Sequence, residues 1–142
     1  MLWALAVVAA LGLAGLYVSF GPPQLMAKTS KAEFCGTECH VMEPEYAAWQ
    51  HSVHRGIECV DCHLPHDNVA DYYLWKGIEG GRDLFDFNTN RIPDPITLGE
   101  HGKRTVKANC LRCHGEMVSK IQTSDRECWD CHRGLRHQGG MR

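Results

Sequence analysis

Four short cysteine motifs constrain the fold of this chain more than any other feature of its sequence. All eight cysteines fall in four pairs, and a histidine directly follows the second cysteine of every pair. C-x-x-C-H is typical of c-type haem attachment, in which the thiols bond the haem vinyl groups and the histidine ligates the iron. The sequence therefore predicts four covalent haems c as cofactors. The pairs with their histidines are Cys35/Cys39-His40, Cys59/Cys62-His63, Cys110/Cys113-His114 and Cys128/Cys131-His132.

Paired cysteines also occur in zinc sites, redox centres and disulfide frameworks. None of these alternatives requires a histidine after every pair, whereas haem attachment does. The pattern therefore favours haem and predicts His63, His114 and His132 as the proximal iron ligands of haems 2 to 4.

The first motif departs from the usual spacing because three residues separate Cys35 from Cys39. The turn beneath its iron must differ, so His40 is not assured as the axial ligand of haem 1. Met42 follows two residues later, and a thioether is a known haem ligand that raises the reduction potential relative to imidazole. A single methionine after a motif is more often a packing residue, so the residues leave both His40 and Met42 open.

Distal ligands must come from the five histidines outside the motifs. His54 lies just before the second motif and His137 just after the fourth. A short tether cannot carry either ring to the far side of its own haem, so each is expected to ligate the iron of a neighbouring haem. His51, His66 and His101 are interpreted as surface residues or residues that support the ligands.

The composition predicts a thin hydrophobic core and little affinity for nucleic acid. The formal net charge is only −2, so no basic field is present. Beyond the apolar first 20 residues, about 120 residues rich in glycine, histidine and charge leave little for a core. The predicted fold class is mostly α with extensive irregular loops: one transmembrane helix plus a compact tetrahaem cytochrome c domain, arranged as two dihaem halves around a central insert.

The amino terminus reads as a membrane anchor. Residues 1–20 contain no charged side chain, and 20 helical residues span roughly the 30 Å of a bilayer. We therefore predict an anchor over 1–21, a linker over 22–34 and a haem domain over 35–142. A cleavable signal peptide is the alternative. Because c-type attachment takes place on the outer face of the bacterial cytoplasmic membrane, the haem domain is placed in the periplasm.

Two further expectations concern the anchor and the insert. Gly12 and Gly15 could pack against a second helix, which suggests self-association. In the insert over 64–87, Asp67 or Asn68 can cap a helix that runs to about Ile78. This aromatic-rich helix either lies at the membrane surface or packs against haem. Glycines further along argue against its continuation, and 88–103 is predicted to be a long loop.

The segment C-H-V-M, together with the four motifs and the single apolar span, resembles the NapC/NirT family of membrane-anchored multihaem quinol dehydrogenases. Within that family the chain is most similar to the small subunit of cytochrome c nitrite reductase. The resemblance covers nearly the whole chain and implies that Met42 ligates haem 1, although the family's first motif has one residue fewer between its cysteines. It also implies distal roles for His54 and His137.

The segment from Lys76 to Asp83, K-G-I-E-G-G-R-D, matches the family's K-x-x-x-G-x-R-D pattern. The resemblance implies that Lys76 and Asp83 form a quinol site beside haem 1. On a helix, seven residues make about two turns, so both side chains can share a face. Without the resemblance, the two residues would be interpreted as an ordinary solvated pair.

The function implied by the resemblance is a membrane-bound enzyme subunit that oxidises menaquinol. Its electrons pass to the catalytic subunit of a periplasmic reductase, in the first place cytochrome c nitrite reductase. The alternatives are another reductase partner, acting on nitrate, an N-oxide or a sulfoxide, or a tetrahaem electron carrier without its own quinol site. A multihaem reductase in its own right is disfavoured, because about 120 residues leave little room for an open substrate funnel.

Overall fold

The fold is helical throughout the part of the chain that the structure, a computed structural model, describes, namely residues 2–19 and 23–137. No β-strand occurs in these ranges, and loops join the helices, which confirms the mostly α prediction. Two 3-10 helices, His40–Met42 and Arg133–Arg136, follow the first and the fourth motif. The α-helices are α1 (Leu2–Ser19), α2 (Pro23–Lys28), α3 (Ala32–Thr37), α4 (Glu43–Gln50), α5 (Cys59–His63), α6 (Val69–Asn88), α7 (Glu100–His114) and α8 (Cys128–Cys131).

Helix α1 covers most of the predicted anchor. Its apolar side chains, among them Leu5, Val8 and Leu11, are largely exposed, and the helix contacts α6. Among the described residues, no helix has both the length and the apolar character needed to cross a membrane. The anchor over 1–21 therefore stays a prediction. Residues 1, 20 and 21, which it includes, and residue 22 of the predicted linker lie outside the described ranges.

Helix α6 is longer than the sequence suggested, which corrects two expectations. It begins at the predicted cap, where the Asn68 side chain accepts a hydrogen bond from the Asp71 backbone N–H at 2.8 Å. It then continues to Asn88 instead of ending near Ile78, and α7 already begins at Glu100 within the predicted loop. Each glycine costs about 1 kcal/mol in a helix interior, but contacts of α6 with α1 and with the segment between α2 and α3 outweigh that local preference.

The hydrophobic core is as thin as the composition predicts. Among the described residues, only Ala32 and Leu64 are buried hydrophobic side chains, and Thr105 and Asn109 are the buried polar ones. Packing is therefore concentrated at the motif helices, where α3 contacts α4 and α5, and α5 contacts α7. Side chains alone do not fill the interior of this domain.

Candidate haem sites and the Lys76–Asp83 face

The second and fourth motifs each form one helical turn, and in each a glutamate and an aspartate cap the turn. The backbone N–H of Glu58 donates to the Asp61 carboxylate at 3.1 Å, and that of Glu127 donates to Asp130 at 2.9 Å. Each glutamate side chain in turn accepts from the backbone of its aspartate, which completes a capping box. The shared pattern E-C-x-D-C-H is the sequence signal for this turn.

The first motif has a different geometry because of its longer spacing. Cys35 lies in α3, and Cys39 is extended, with φ −116° and ψ 97°. A Cβ on Gly36 would lie 2.1 Å from the ring of Tyr46, so only glycine permits this close contact with α4. The exposed ring of His40 packs edge-on against Phe87 of α6, whereas Met42 is half-buried.

The thiols bring consecutive motifs together. A hydrogen bond with Cys59 lowers the pKa of Cys35 to about 7, and the thiols of Cys110 and Cys128 are also hydrogen-bonded. Cys62 of the second motif lies near Cys113 of the third. Motifs one and two are therefore adjacent, as are two and three and also three and four, and the division into two dihaem halves stays a prediction. All eight cysteines are among the described residues, and none of them forms a disulfide bond with another.

Two pairs of histidine rings face each other across the motifs. The ring centroids of His54 and His114 lie 6.1 Å apart, and those of His63 and His137 lie 6.3 Å apart. An imidazole–metal bond is about 2.0 Å long, so two imidazoles on opposite sides of one iron have centroids about 6 Å apart. Both pairs therefore fit the axial ligands of a haem, and in both the non-motif histidine faces a motif other than its nearest one.

The backbone around each non-motif histidine directs its ring. The indole N–H of Trp49 donates to the carbonyl oxygens of His54 and Ile57, at 3.1 and 2.9 Å, and so fixes the turn that carries His54. His137 has φ 45°, a left-handed conformation that is uncommon for a residue other than glycine. Burial lowers the pKa of His63 to about 4 and also lowers the pKa of His137, which favours the neutral, metal-binding form.

The remaining histidines lack this arrangement. His132 of the fourth motif is exposed, and no histidine within the described ranges faces its ring. The three histidines expected to be surface or supporting residues contact backbone or aromatic neighbours instead. These contacts join His51 Nδ1 to the Ala47 carbonyl at 2.8 Å, His66 Nε2 to the Val60 carbonyl at 3.3 Å, and the His101 ring to the Trp75 ring at a centroid distance of 3.4 Å.

Lys76 and Asp83 lie on the face of α6 that is turned towards the first motif. The positive charge of Lys76 lowers the pKa of Cys35. The negative charge of Asp83 raises the pKa of both Cys35 and Cys39. Desolvation lowers the pKa of Lys76. Desolvation, reinforced by Glu79, raises the pKa of Asp83, although its side chain retains solvent access. The predicted pair thus shares one face with the first motif.

Ser30 belongs to this face, although no sequence motif marks it. Lys76 Nζ donates to the Ser30 hydroxyl and, at 3.2 Å, to the Met26 carbonyl. The Ser30 and Tyr72 hydroxyls are 3.3 Å apart, and Lys76 lies over the Tyr72 ring at 5.8 Å. The segment between α2 and α3 lies within the predicted linker over 22–34. Through Ser30 it holds the Lys76 side chain in place.

Comparison with known proteins identifies the family of the chain. Residues 1–115 match the N-terminal region of the NapC/NirT cytochrome c family. The chain is 34% identical to cytochrome c-type protein NrfH of Wolinella succinogenes, over 70% of this chain and 64% of that protein, which is slightly less than two thirds of its length. It is 36% identical to the cytochrome c nitrite reductase subunit NrfH of Nitratidesulfovibrio vulgaris, over 91% of this chain and 79% of that protein.

The structure also resembles a chain of the cytochrome c nitrite reductase NrfHA complex bound to the HQNO inhibitor. The TM-score is 0.74, the sequence identity is 33%, and the match covers 99% of this chain and 92% of that chain. The likeness therefore extends over the helices that carry all four motifs and the Lys76–Asp83 face.

Proposed function

The chain belongs to the NapC/NirT cytochrome c family, and on this premise we propose that it is a membrane-bound tetrahaem cytochrome c that oxidises menaquinol. Its electrons pass to the catalytic subunit of a periplasmic cytochrome c nitrite reductase, which reduces nitrite to ammonium. The observation that carries this proposal is the likeness, over 99% of the chain, to a chain of the NrfHA complex bound to the HQNO inhibitor. This chain is an electron-transfer subunit and not the nitrite-reducing catalyst.

Haem c supplies the one-electron chemistry, while the chain attaches the groups and orders them. The eight motif cysteines bind four haems, and adjacent thiols of successive motifs arrange them from the first motif to the fourth. When the haems are bound, His63 and His137 would hold the iron of the second haem, and His114 and His54 would hold that of the third.

We expect an intact-mass measurement on denatured protein to show four covalent haem additions, because every motif presents two thiols and a histidine. A Cys39→Ser variant is expected to retain three full attachments and one single thioether bond. A mass corresponding to three haems in the unchanged protein would contradict the proposal and would show that the longer first motif is not loaded.

Met42 is the proposed axial ligand of haem 1, since the exposed ring of His40 packs against Phe87 while Met42 is half-buried. Met42→Ala is therefore expected to alter the absorption spectrum and the reduction potential of one haem and to leave the other three unchanged. Met117, which is 71% exposed between the third and fourth motifs, provides the matched control as Met117→Ala. A spectral change in His40→Ala but not in Met42→Ala would reverse the assignment.

The quinol site lies between Lys76 and Asp83, beside the first motif. Menaquinol loses two electrons and two protons, so a proton acceptor and a hydrogen-bond donor must stand close to the first electron acceptor. The raised pKa of Asp83 suits a general base, which works best near the operating pH. Lys76, held by Ser30 and the Met26 carbonyl, donates to the other ring oxygen and stabilises the negative charge that develops there.

Membrane attachment is the second part of the proposal. The 18 residues of α1 have a helical length of roughly 27 Å, close to the thickness of a bilayer core. On α6, which contacts α1, the exposed side chains Leu74, Ile78 and Phe85 lie on the side opposite Lys76 and Asp83. This apolar stripe lies at the membrane surface and places the quinol site about one helix diameter, roughly 10 Å, from the lipid.

The fourth motif faces the reductase partner. His132 is exposed, and no described histidine faces it, so the fourth haem takes its distal ligand from outside this chain. The resembling family implies a lysine of the catalytic subunit. The isolated subunit is therefore expected to contain one haem whose spectrum changes when the catalytic subunit is added. The two subunits reconstituted in vesicles are expected to reduce nitrite with electrons from menaquinol. If this chain itself supplies the ligand opposite His132 in the isolated subunit, the assignment is contradicted.

The same experiment separates the proposal from the alternatives. A tetrahaem carrier without a quinol site would accept electrons from dithionite but not from menaquinol. A quinol dehydrogenase that serves another reductase would accept electrons from menaquinol but would not support nitrite reduction. Identification of the subunit that co-purifies from native membranes decides between the partners.

A further inference from the structure

The two halves of the haem domain meet where α5 packs against α7, and Asn109 is the buried polar residue at this junction. Its side chain is 6% exposed, and its amide donates to the carbonyl oxygens of Cys62 and Leu64 at 2.9 and 2.8 Å. Its Oδ1 accepts from Nε of Arg112 at 3.2 Å, and Arg112 Nη2 donates to the Asp61 carbonyl at 3.0 Å. Two side chains of α7 thus hold three backbone carbonyl groups at the end of the second motif, those of Asp61, Cys62 and Leu64.

The chemistry of this contact requires a carboxamide. The carbonyl groups at the carboxyl end of a helix have no partner within the helix, and α5 ends at His63. Asn109 supplies both amide hydrogens to the carbonyls that flank His63 and still accepts one hydrogen bond. Leucine has a similar size but no donor, and aspartate would present a carboxylate to two carbonyl oxygens. Neither residue can reproduce the contact.

The position of Asn109 in the chain links this contact to the third motif. Asn109 directly precedes Cys110, so the residue that holds the backbone around His63 is bonded to the first attachment cysteine of the next haem. A displacement at Asn109 would therefore change the position of the His63 ring relative to Cys110. Electron tunnelling between haems falls steeply with distance, so this spacing matters for transfer between the halves.

We propose that Asn109 and Arg112 are positioning residues that fix the second haem against the third and thereby control electron transfer from the amino-terminal to the carboxy-terminal half of the haem array. The inference rests on haem attachment at these motifs and on the proposed ligand pair His63 and His137. It does not depend on the quinol site or on the identity of the reductase. Loss of either of those assignments would leave it intact.

The test uses the full-length protein with its haems. Rapid-freeze electron paramagnetic resonance follows the haems while electrons redistribute among them after pulse-radiolytic reduction with less than one electron per molecule. Asn109→Leu is expected to change the g-values of the haem that His63 ligates and to slow reduction of the carboxy-terminal haems by about tenfold relative to the first two. Asn88→Leu is the matched control, because the exposed Asn88 carboxamide donates only to the Leu84 carbonyl of its own helix, at 2.7 Å. Its g-values and rates should equal those of the unchanged protein.

A second variant keeps the test decisive if Asn109→Leu fails to fold or to load four haems. Arg112 is exposed, so Arg112→Leu should fold while it removes the bonds to Asp61 and Asn109. We expect a g-value change at the same haem and a smaller loss of rate. Unchanged g-values and transfer rates in the variants that fold, with only a lower Tm, would overturn the proposal, because they would show that the contact is purely structural.

Discussion

Replacing Asp83 with asparagine, or Lys76 with leucine, is expected to slow haem reduction by a menaquinol analogue by about 100-fold or more. Asparagine cannot accept the quinol proton, and leucine removes the donor that Ser30 and the Met26 carbonyl hold in position. Dithionite needs neither group, so it should still reduce every haem in both variants. Stopped-flow absorption with the two reductants measures the difference.

Matched controls separate the quinol site from general effects of charge. Asp71→Asn changes an acidic residue near the start of the same helix, where the Asn68 cap contacts it. Lys103→Leu removes an exposed lysine whose ion pair with Glu100, at 2.7 Å, is worth little. Both controls should retain quinol-driven reduction. If Asp83→Asn and Lys76→Leu retain it as well, the pair is only a solvated surface feature.

The pH dependence follows from the same two groups. Desolvation raises the pKa of Asp83, so the carboxylate becomes available to accept a proton only above its usual range near 3.9. Desolvation lowers the pKa of Lys76. As the pH rises, Lys76 therefore loses its positive charge at a pH lower than its usual pKa near 10.4. The rate of quinol-driven reduction should therefore increase with pH as Asp83 loses its proton, and decrease at alkaline pH as Lys76 loses its charge. The acid limb should vanish in Asp83→Asn.

Removing a distal histidine should convert one bis-histidine haem from low spin to high spin, and the haem affected should not be the nearest one in sequence. The His54 and His114 rings are inclined by 65°, whereas the His63 and His137 rings are inclined by 34°. Steeply inclined imidazoles give a ferric haem a larger maximum g-value than nearly parallel ones. His54→Ala should therefore abolish the signal with the larger maximum g-value, and His137→Ala should abolish the more rhombic one.

Electron paramagnetic resonance of the oxidised protein provides the measurement, and His51→Ala provides the control. The His51 ring contacts only the carbonyl of Ala47 in its own helix, so its removal should leave every haem signal unchanged. Loss of the more rhombic signal in His54→Ala would contradict the assignment, because it would place His54 on the second haem instead of the third.

Most of the architecture could be predicted because the motifs act locally. The four haem-attachment motifs fix where the chain must turn, and the shortage of apolar residues beyond the first 20 predicts a thin core. Among the described residues, Ala32 and Leu64 are the only buried hydrophobic side chains. The extent of α6 could not be predicted, since its glycines oppose a helix locally. Contacts with α1 and with the segment that contains Ser30, which are distant in sequence, keep the helix intact to Asn88.

Residue type indicates candidate site residues where it decides the chemistry, but it gives no signal where tertiary geometry decides the contact. Histidines near the motifs indicated His54 and His137 as distal ligands, but only their ring positions relate them to His114 and His63. Ser30 and Asn109 carry no motif, because serine and asparagine are usually solvated residues. Their roles depend on tertiary contacts that no spacing in the chain encodes.

The near absence of a hydrophobic core has a consequence for the life of this protein in the cell. Within residues 2–19 and 23–137 only two hydrophobic side chains are buried, which gains too little to offset the entropy of ordering. Attached haem therefore supplies much of the stability of the folded chain. The chain without haem is expected to be degraded by protease much faster than the haem-loaded protein.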